Sequence, residues 1–328
     1  MHELVCTNNA VLITAIEALL KGAEIRHVVL DQYMSVLEGS LGILPRRILV
    51  DDEHLHAARL VLEDAGLAHE LRPLPAGRGD ERTDDAVLGG RLRLTQQRRG
   101  HRAGHDAILL AAATAAQPGD RVADLGAGIG AAGLALAVRV PGIAVTLVEI
   151  DTTLAGIAAE NILRNGLDGR ARAVALDIAG PSDLFAAAGL APGSIDRVLM
   201  NPPFNNPARQ NVSPDASRRM AHAAPLGSLT DWVAAASWLL HSAGTLTMIW
   251  RADGLADVLA ALEPDFGGIA VLPVHGCAGQ PAIRVLVRAN KGSRAPLELL
   301  SGLDLNDEAG RPTAAAENVL RHAQALPL

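Results

Sequence analysis

The sequence predicts an α/β protein: a doubly wound Rossmann-like sheet preceded by a small ferredoxin-like βαββαβ domain. Three observations predict it. From Asp106 onward, short apolar strands alternate with alanine-rich helical stretches, the pattern of a parallel sheet covered on both faces. Upstream, β-like and helix-like segments follow one another in the order of a ferredoxin-like sandwich. Between the two, Pro73, Pro75, Gly77 and Gly79 punctuate a charged stretch. The expected organisation is a small domain at 1–71, a linker at 72–85 and a large domain at 86–328.

In the small domain, Glu3–Cys6 reads as a strand, and Asn8–Lys21 as a helix capped by Asn8 or Asn9 with apolar residues at helical spacing. Ile25–Leu30 and Arg46–Val50 are strands, Asp52 caps a helix that Gly66 ends, and Ala68–Leu71 is the closing strand. In the large domain the strands are Arg121–Leu125, Ala144–Glu149, Ala171–Leu176, Asp196–Met200, Gly244–Trp250, Gly268–Val274 and Ile283–Arg288. Ala131–Val140, Leu154–Arg164, Leu229–Leu240 and Leu255–Leu262 are the clearest helices between them.

The 328 residues suffice for a full core and a smaller second unit. Cys6 and Cys277 form no CxxC pair, so neither a disulfide framework nor a metal site is expected, and a reducing cytoplasm fits. The start lacks the basic-then-apolar plan of a signal peptide, and charge, Gly or Pro breaks every apolar run short of the roughly 18 residues of a membrane span. A net charge of −7 argues against a protein that coats nucleic acid through its overall field. The charge is uneven, however: residues 1–72 hold six Lys or Arg against eleven Asp or Glu, whereas the acid-free run from Arg91 to Arg102 holds Arg91, Arg93, Arg98, Arg99 and Arg102. That run is either a solvated surface or a phosphate contact.

Asp124-Leu-Gly-Ala-Gly-Ile-Gly130 follows a strand and opens a helix. Gly126, Gly128 and Gly130 lack Cβ atoms, so a nucleotide-like ligand could approach the backbone closely. Such a turn alone would equally suit a nicotinamide or flavin. Asp124, at its strand end, suits a ligand with a cationic amino group, and Glu149, ending the next strand, can accept from both ribose hydroxyls. Together they describe an adenosine-bearing ligand with a positive end. Asp177, after the third strand, either accepts from an adenine amino group or caps the following helix.

The fourth strand ends in Asn201-Pro202-Pro203-Phe204. The prolines fix the backbone and remove two N–H donors, so the Asn201 side-chain oxygen and the Pro202 carbonyl can both accept from one NH2 group. Such acceptance draws the nitrogen lone pair out of conjugation and turns the amine into a nucleophile. Phe204, one of only seven aromatic residues, offers a face on which a base could stack.

With these residues the large domain resembles a class I amino-methyltransferase. Arg102-Ala-Gly-His-Asp-Ala-Ile-Leu-Leu110, Gly279-Gln-Pro-Ala-Ile-Arg-Val-Leu-Val287 and Lys291-Gly292 are similar to the transfer-RNA(Val) adenine-37 N6-methyltransferase family, from about Val87 to the C-terminus. The resemblance implies S-adenosylmethionine as cofactor and methylation of adenine N6 in RNA, with transfer RNA the expected partner. It implies that Asp106, Asp124, Gly126, Glu149, Asp177 and Asn201 contact the cofactor or lie beside it; His105 stands where a threonine is expected. The first 70 residues resemble a prokaryotic domain family named for signal transduction, through Met34-Ser-Val-Leu-Glu-Gly-Ser-Leu-Gly-Ile-Leu-Pro-Arg-Arg47. That implies a small ligand or a protein partner for this domain, or a purely stabilising appendage. Two other functions fit the motifs: a release-factor-type methyltransferase acting on a protein glutamine amide, whose usual tyrosine is Phe204 here, and a non-catalytic cofactor-binding sensor.

Overall fold

The computed structural model describes residues 2–7, 9–23, 25–30, 46–51, 54–67, 70–72, 82–97, 104–203 and 228–328. These fall into two compact units that divide after residue 79.

In the first unit, β1 (His2–Thr7), α1 (Ala10–Gly22), β2 (His27–Leu30), β3 (Arg46–Val50) and α2 (Leu55–Asp64) follow the expected order. Asn9 caps α1 by accepting from the N–H groups of Val11 and Leu12. The sheet order is β1-β3-β2, all antiparallel. The closing strand expected at Ala68–Leu71 is reduced, among the described residues, to a single antiparallel bridge from Leu71 to Val5. That bridge still puts the segment beside β1, giving the 4-1-3-2 order of a ferredoxin-like sheet. Leu4, Ile16, Leu20, Ile48, Val50 and Leu62 form its core. The helix cap expected at Asp52, and Met34–Pro45 of the segment that carries the family likeness, lie outside the described residues.

The second unit opens with a hairpin where the sequence pattern predicts a linker. β4 (Arg82–Val87) pairs antiparallel with β5 (Leu92–Gln97), so the linker expected to reach Asp85 stops short of Arg82. The acids Asp84 and Asp85 disguised this strand, but Asp85 is satisfied by Thr83 Oγ1 at 2.7 Å and Gln96 Nε2 at 2.6 Å. Leu92 and Leu94 face inward while Arg91 and Arg93 face out.

The rest alternates as expected. α3 (His105–Ala113), β6 (Arg121–Leu125), α4 (Ala131–Arg139), β7 (Ala144–Glu149), α5 (Thr152–Arg164), β8 (Ala171–Ala175), α6 (Ser182–Ala187), β9 (Ile195–Met200), α7 (Leu229–Leu239), β10 (Leu240–Arg251), α8 (Leu255–Leu262), β11 (Phe266–Cys277) and β12 (Ala282–Lys291) occur in that order. Two short strands, β13 (Glu298–Leu299) and β14 (Leu303–Asn306), and a last helix, α9 (Ala314–His322), follow. The sheet order is β13-β11-β12-β10-β9-β6-β7-β8, with β14 also on β11. β8, β7, β6, β9 and β10 are mutually parallel. β12, read from sequence as one more parallel strand, runs antiparallel between β10 and β11. The short connection from β11 explains the reversal, because it holds no helix to carry the chain back across the sheet.

Alternate residues of the central strands enter opposite layers. Leu147, Leu199 and Ile249 pack against α3, α4 and α5, whereas Val148, Met200 and Met248 pack against the side of α6, α7 and α8. The alanines of α4 make sense in this layer: Ala131 to Ala137 is buried on all sides, where small residues let the helix approach the sheet closely.

The chain crosses from β6 to β7 and β8 in one direction, then returns to place β9 on the other side of β6. This reversal makes the carboxyl edge of the sheet between β6 and β9 its switch point, where open α/β sheets have their ligand-binding crevice.

Candidate active site

The strand register sets three residues side by side at that edge. Leu125 on β6 pairs with Val148 on β7 and with Met200 on β9, so the next residue of each strand, Gly126, Glu149 and Asn201, forms one row. The turn beyond β6 needs its glycines: Gly126, Gly128 and Gly130 have φ of 66°, 56° and 88°, in the region that favours glycine. A Cβ on Gly128 would meet nothing within 4 Å, so the turn leaves open space at its tip. On Gly126 a Cβ would lie 2.5 Å from Trp232 Cη2, because the indole of α7 lies directly against this residue.

Two buried carboxylates brace the turn. Asp124 accepts from the Gly133 N–H at 2.8 Å and is 2% exposed. Burial, with Glu149 adding like charge against the pull of the Gly133 N–H, raises its pKa from 3.8 to about 7. Glu149 accepts from the Gly128 N–H at 2.8 Å through one oxygen and from the Asp151 N–H at 2.9 Å through the other. A carboxylate offers about four acceptor positions, so two remain. Asp151 in turn caps α5 through the N–H groups of Thr153 and Leu154.

On the other side of the crevice, Asn201 is half-buried, Pro202 is buried, and the Asn201 Oδ1 is sealed from solvent without a hydrogen-bond partner. Phe204, the fourth residue of the motif, lies outside the described residues.

Other expected site residues have local partners of their own. Asp177 is exposed, two residues past the end of β8, and its side chain accepts from the Ala179 N–H at 2.9 Å. It does not cap α6, whose cap is Pro181. Asp106 lies in the first turn of α3 and takes the Arg284 Nε–H at 2.9 Å, tying α3 to β12. Exposed His105 begins the same helix.

Of the basic run, Arg93 pairs with Asp84, which also holds Arg164, and Arg91 donates to the His322 carbonyl at 3.2 Å. Arg98, Arg99 and Arg102 lie outside the described residues.

Residues 105–273, just over half of the chain, match the family model described as the methyltransferase small domain. The chain belongs to this family. As a member it has the fold of the class I S-adenosylmethionine-dependent methyltransferases.

A crystal structure from Agrobacterium tumefaciens, described as a "predicted O-methyltransferase", superposes with a TM-score of 0.57 at 31% identity, over 67% of this chain and 98% of that one. Curated relatives include the release factor glutamine methyltransferase of Chlorobaculum tepidum, 29% identical over 46% of this chain. They also include the tRNA1(Val) (adenine(37)-N6)-methyltransferase of Bacteroides thetaiotaomicron, 30% identical over 46% of this chain. The chain spans 52% and 60% of the length of these two relatives. Residues 1–66 match a separate family named for prokaryotic signal transduction.

The crevice fits the family's cofactor on its own geometry. Gly128 leaves room for a ligand, and Glu149 has acceptor capacity to spare. No helix among the described residues is long and apolar enough to cross a membrane, and no group of three or more His, Cys, Asp or Glu residues there could hold a metal ion.

The residue that sequence reasoning passed over is Trp232, counted only as one of the aromatics. The signal was there in composition, since a chain with three Trp has one in the first turn of the next described helix after Asn-Pro-Pro.

Proposed function

We propose that this methyltransferase transfers a methyl group to the exocyclic N6 amino group of adenine in RNA, with transfer RNA as the substrate class and the cytoplasm as its place of action. The observation that carries the reading is the buried Asn201 Oδ1, an acceptor with no partner in the same row as Gly126 and Glu149. An amino group delivered to the crevice satisfies it. Bound S-adenosylmethionine supplies an electrophilic methyl carbon on a sulfonium.

Asn201 Oδ1 and the Pro202 carbonyl accept the two N–H bonds of the amine. Their acceptance would draw the lone pair out of conjugation with the ring and leave it available to an electrophilic methyl group. Pro202 and Pro203 have no backbone N–H to offer the amine nitrogen, so its lone pair stays free. Once methylated, the amine nitrogen would be cationic, and its proton would pass to these acceptors or to water. Asp124, Gly126, Gly128, Gly130 and Glu149 hold the cofactor, while Asp106 and Asp177 border its site. Phe204 stacks on the base. Arg98, Arg99 and Arg102 take phosphate, a role for which Arg93 is already engaged by Asp84. The relative from Bacteroides thetaiotaomicron is named for this reaction, which supports the reading.

A protein glutamine amide is the second reading, favoured by the Chlorobaculum tepidum relative at nearly the same identity. An amide also presents an NH2 group to Asn201. Methyl-labelled cofactor incubated with total RNA and with total protein decides between them. Label recovered as N6-methyladenosine supports the RNA reading, and label confined to protein overturns it.

A further inference from the structure

We infer that the β4–β5 hairpin is a working part of the cofactor site, and that Asn161 of α5 is the positioning residue through which it acts: one side-chain amide ties the outer edge of β5 to the glycine turn. The inference rests on the reading of that turn as the cradle of the cofactor.

β5 pairs with β4 along one edge only. The other edge of a strand offers N–H and C=O groups that need partners of their own. Two asparagines at the end of α5 supply them. Asn165 Oδ1 accepts from the Arg93 N–H at 2.9 Å, and its Nδ2 donates to the Arg93 carbonyl at 2.8 Å. Asn161 Oδ1 accepts from the Thr95 N–H at 2.7 Å, and its Nδ2 donates to the Thr95 carbonyl at 3.0 Å. The spacings agree, since two residues along a strand advance about 6.8 Å and four along a helix about 6 Å. The helix thus stands in for a third strand.

Only Asn161 reaches further. Its Nδ2 also donates to the carbonyl of Ile129 at 3.0 Å, inside the turn between Gly126 and Gly130. The residue is 0% exposed, and both of its donor hydrogens are used, so the amide has none left for another partner. The turn and the helix start behind it are therefore held at three points. Glu149 takes the Gly128 N–H and Asp124 takes the Gly133 N–H, both from strand ends of the sheet. The third hold, on the Ile129 carbonyl, comes from a side chain whose remaining bonds go to the hairpin. Loss of that hold leaves a turn that the cofactor must order as it binds, and the ordering is subtracted from affinity.

The two asparagines supply the test, on the full chain. Asn165→Ala removes the tie to Arg93 and leaves the turn untouched, whereas Asn161→Ala removes both the tie to Thr95 and the hold on Ile129. Calorimetry with S-adenosylmethionine should give a Kd raised about tenfold for Asn161→Ala, the scale for an unmet buried bond, and within about twofold of wild type for Asn165→Ala. In methyl transfer the Asn161→Ala loss should lie in the KM for cofactor, with kcat at saturating cofactor little changed. A residue that merely stabilised the hairpin would give equal shifts in the two variants. Equal shifts, or an Asn161→Ala Kd within about twofold of wild type, overturn the inference. Hydrogen exchange on the wild type tests it without any variant: cofactor should slow the Arg93 and Thr95 amides several-fold more than the Leu300 amide, which bonds Val271 in another part of the sheet. Uniform slowing of the three amides overturns the inference as well. A wild type that binds no S-adenosylmethionine overturns the cradle reading, and the role of Asn161 with it.

Discussion

Two neighbouring parts of the carboxyl edge of the sheet are finished in opposite ways. Where β6 and β7 end, Asp124 and Glu149 take the backbone N–H groups of Gly133, Gly128 and Asp151, so the cofactor turn is braced by bonds of its own. Where β9 ends, the Asn201 oxygen takes none, and the two residues after it have no N–H to give. One end is a mould completed before any ligand arrives. The other carries an unmet bond, worth about 1–3 kcal/mol, that the reacting amine relieves. Binding and turnover should therefore separate when the two ends are altered one at a time.

The largest effect is expected at the unmet end. Asn201→Ala should lower kcat by about a hundredfold to a thousandfold, the scale for removing one polar group aimed at a transition state, and leave cofactor Kd within a few fold. Single-turnover rates and calorimetry check both halves, and an unchanged rate breaks the comparison outright.

Asp124 comes next, through pH. Folded, it holds its proton up to about pH 7, whereas the unfolded chain releases it near 3.8. Between those values unfolding releases a proton, so stability falls as pH rises and levels off above pH 7. Relative to Asp124→Asn, the ligand-free wild type should lose roughly 2–3 kcal/mol between pH 5 and pH 8, at about 1.4 kcal/mol for each pH step within the window. Denaturant titrations at both pH values measure it, and parallel behaviour of the two proteins removes the claim of a buried, proton-holding acid.

Glu149→Ala sharpens the contrast from the braced side. It should weaken cofactor binding by about 1–3 kcal/mol, because the Gly128 and Asp151 N–H groups lose their acceptor and the turn loosens. At saturating cofactor, kcat should change little. A variant with intact affinity would show that the brace is decoration.

The smallest effect is expected at Arg93. Its charge is already matched by Asp84, so Arg93→Ala should leave the salt dependence of transfer-RNA binding within error, whereas reversing Arg98 and Arg99 together should flatten it. Paired salt titrations distinguish the two, and a flattened slope for Arg93→Ala would return that residue to the phosphate path.

The sequence made the sheet legible because buried parallel strands are continuous apolar runs between glycine turns. Arg121–Leu125 and Ala144–Glu149 have the bounds read from pattern alone. The register that brings Gly126, Glu149 and Asn201 into one row was implicit in their shared place at strand ends. What stayed hidden depends on partners distant in the chain. Arg82–Val87 looks like a charged linker until Gln96 and Thr83 satisfy Asp85 across the hairpin. The bond between Asp106 and Arg284, far along the chain, could not be read from either segment alone. The direction of β12 is invisible to periodicity, since an apolar run has the same composition in either sense. Trp232 carries no motif, and its meaning comes from contact with a glycine a hundred residues earlier in the chain.

The place of β12 also dictates an order of assembly. It lies between β10 and β11 but is synthesised after both. Until residue 291 has emerged from the ribosome, β10 and β11 have no ladder in common, and each presents a row of unpaired N–H and C=O groups toward the other. Arrival of β12 closes both edges in one event. A nascent chain stalled before Ala282 would keep one edge of β10 and both edges of β11 open, the kind along which chains pair with one another instead of with themselves.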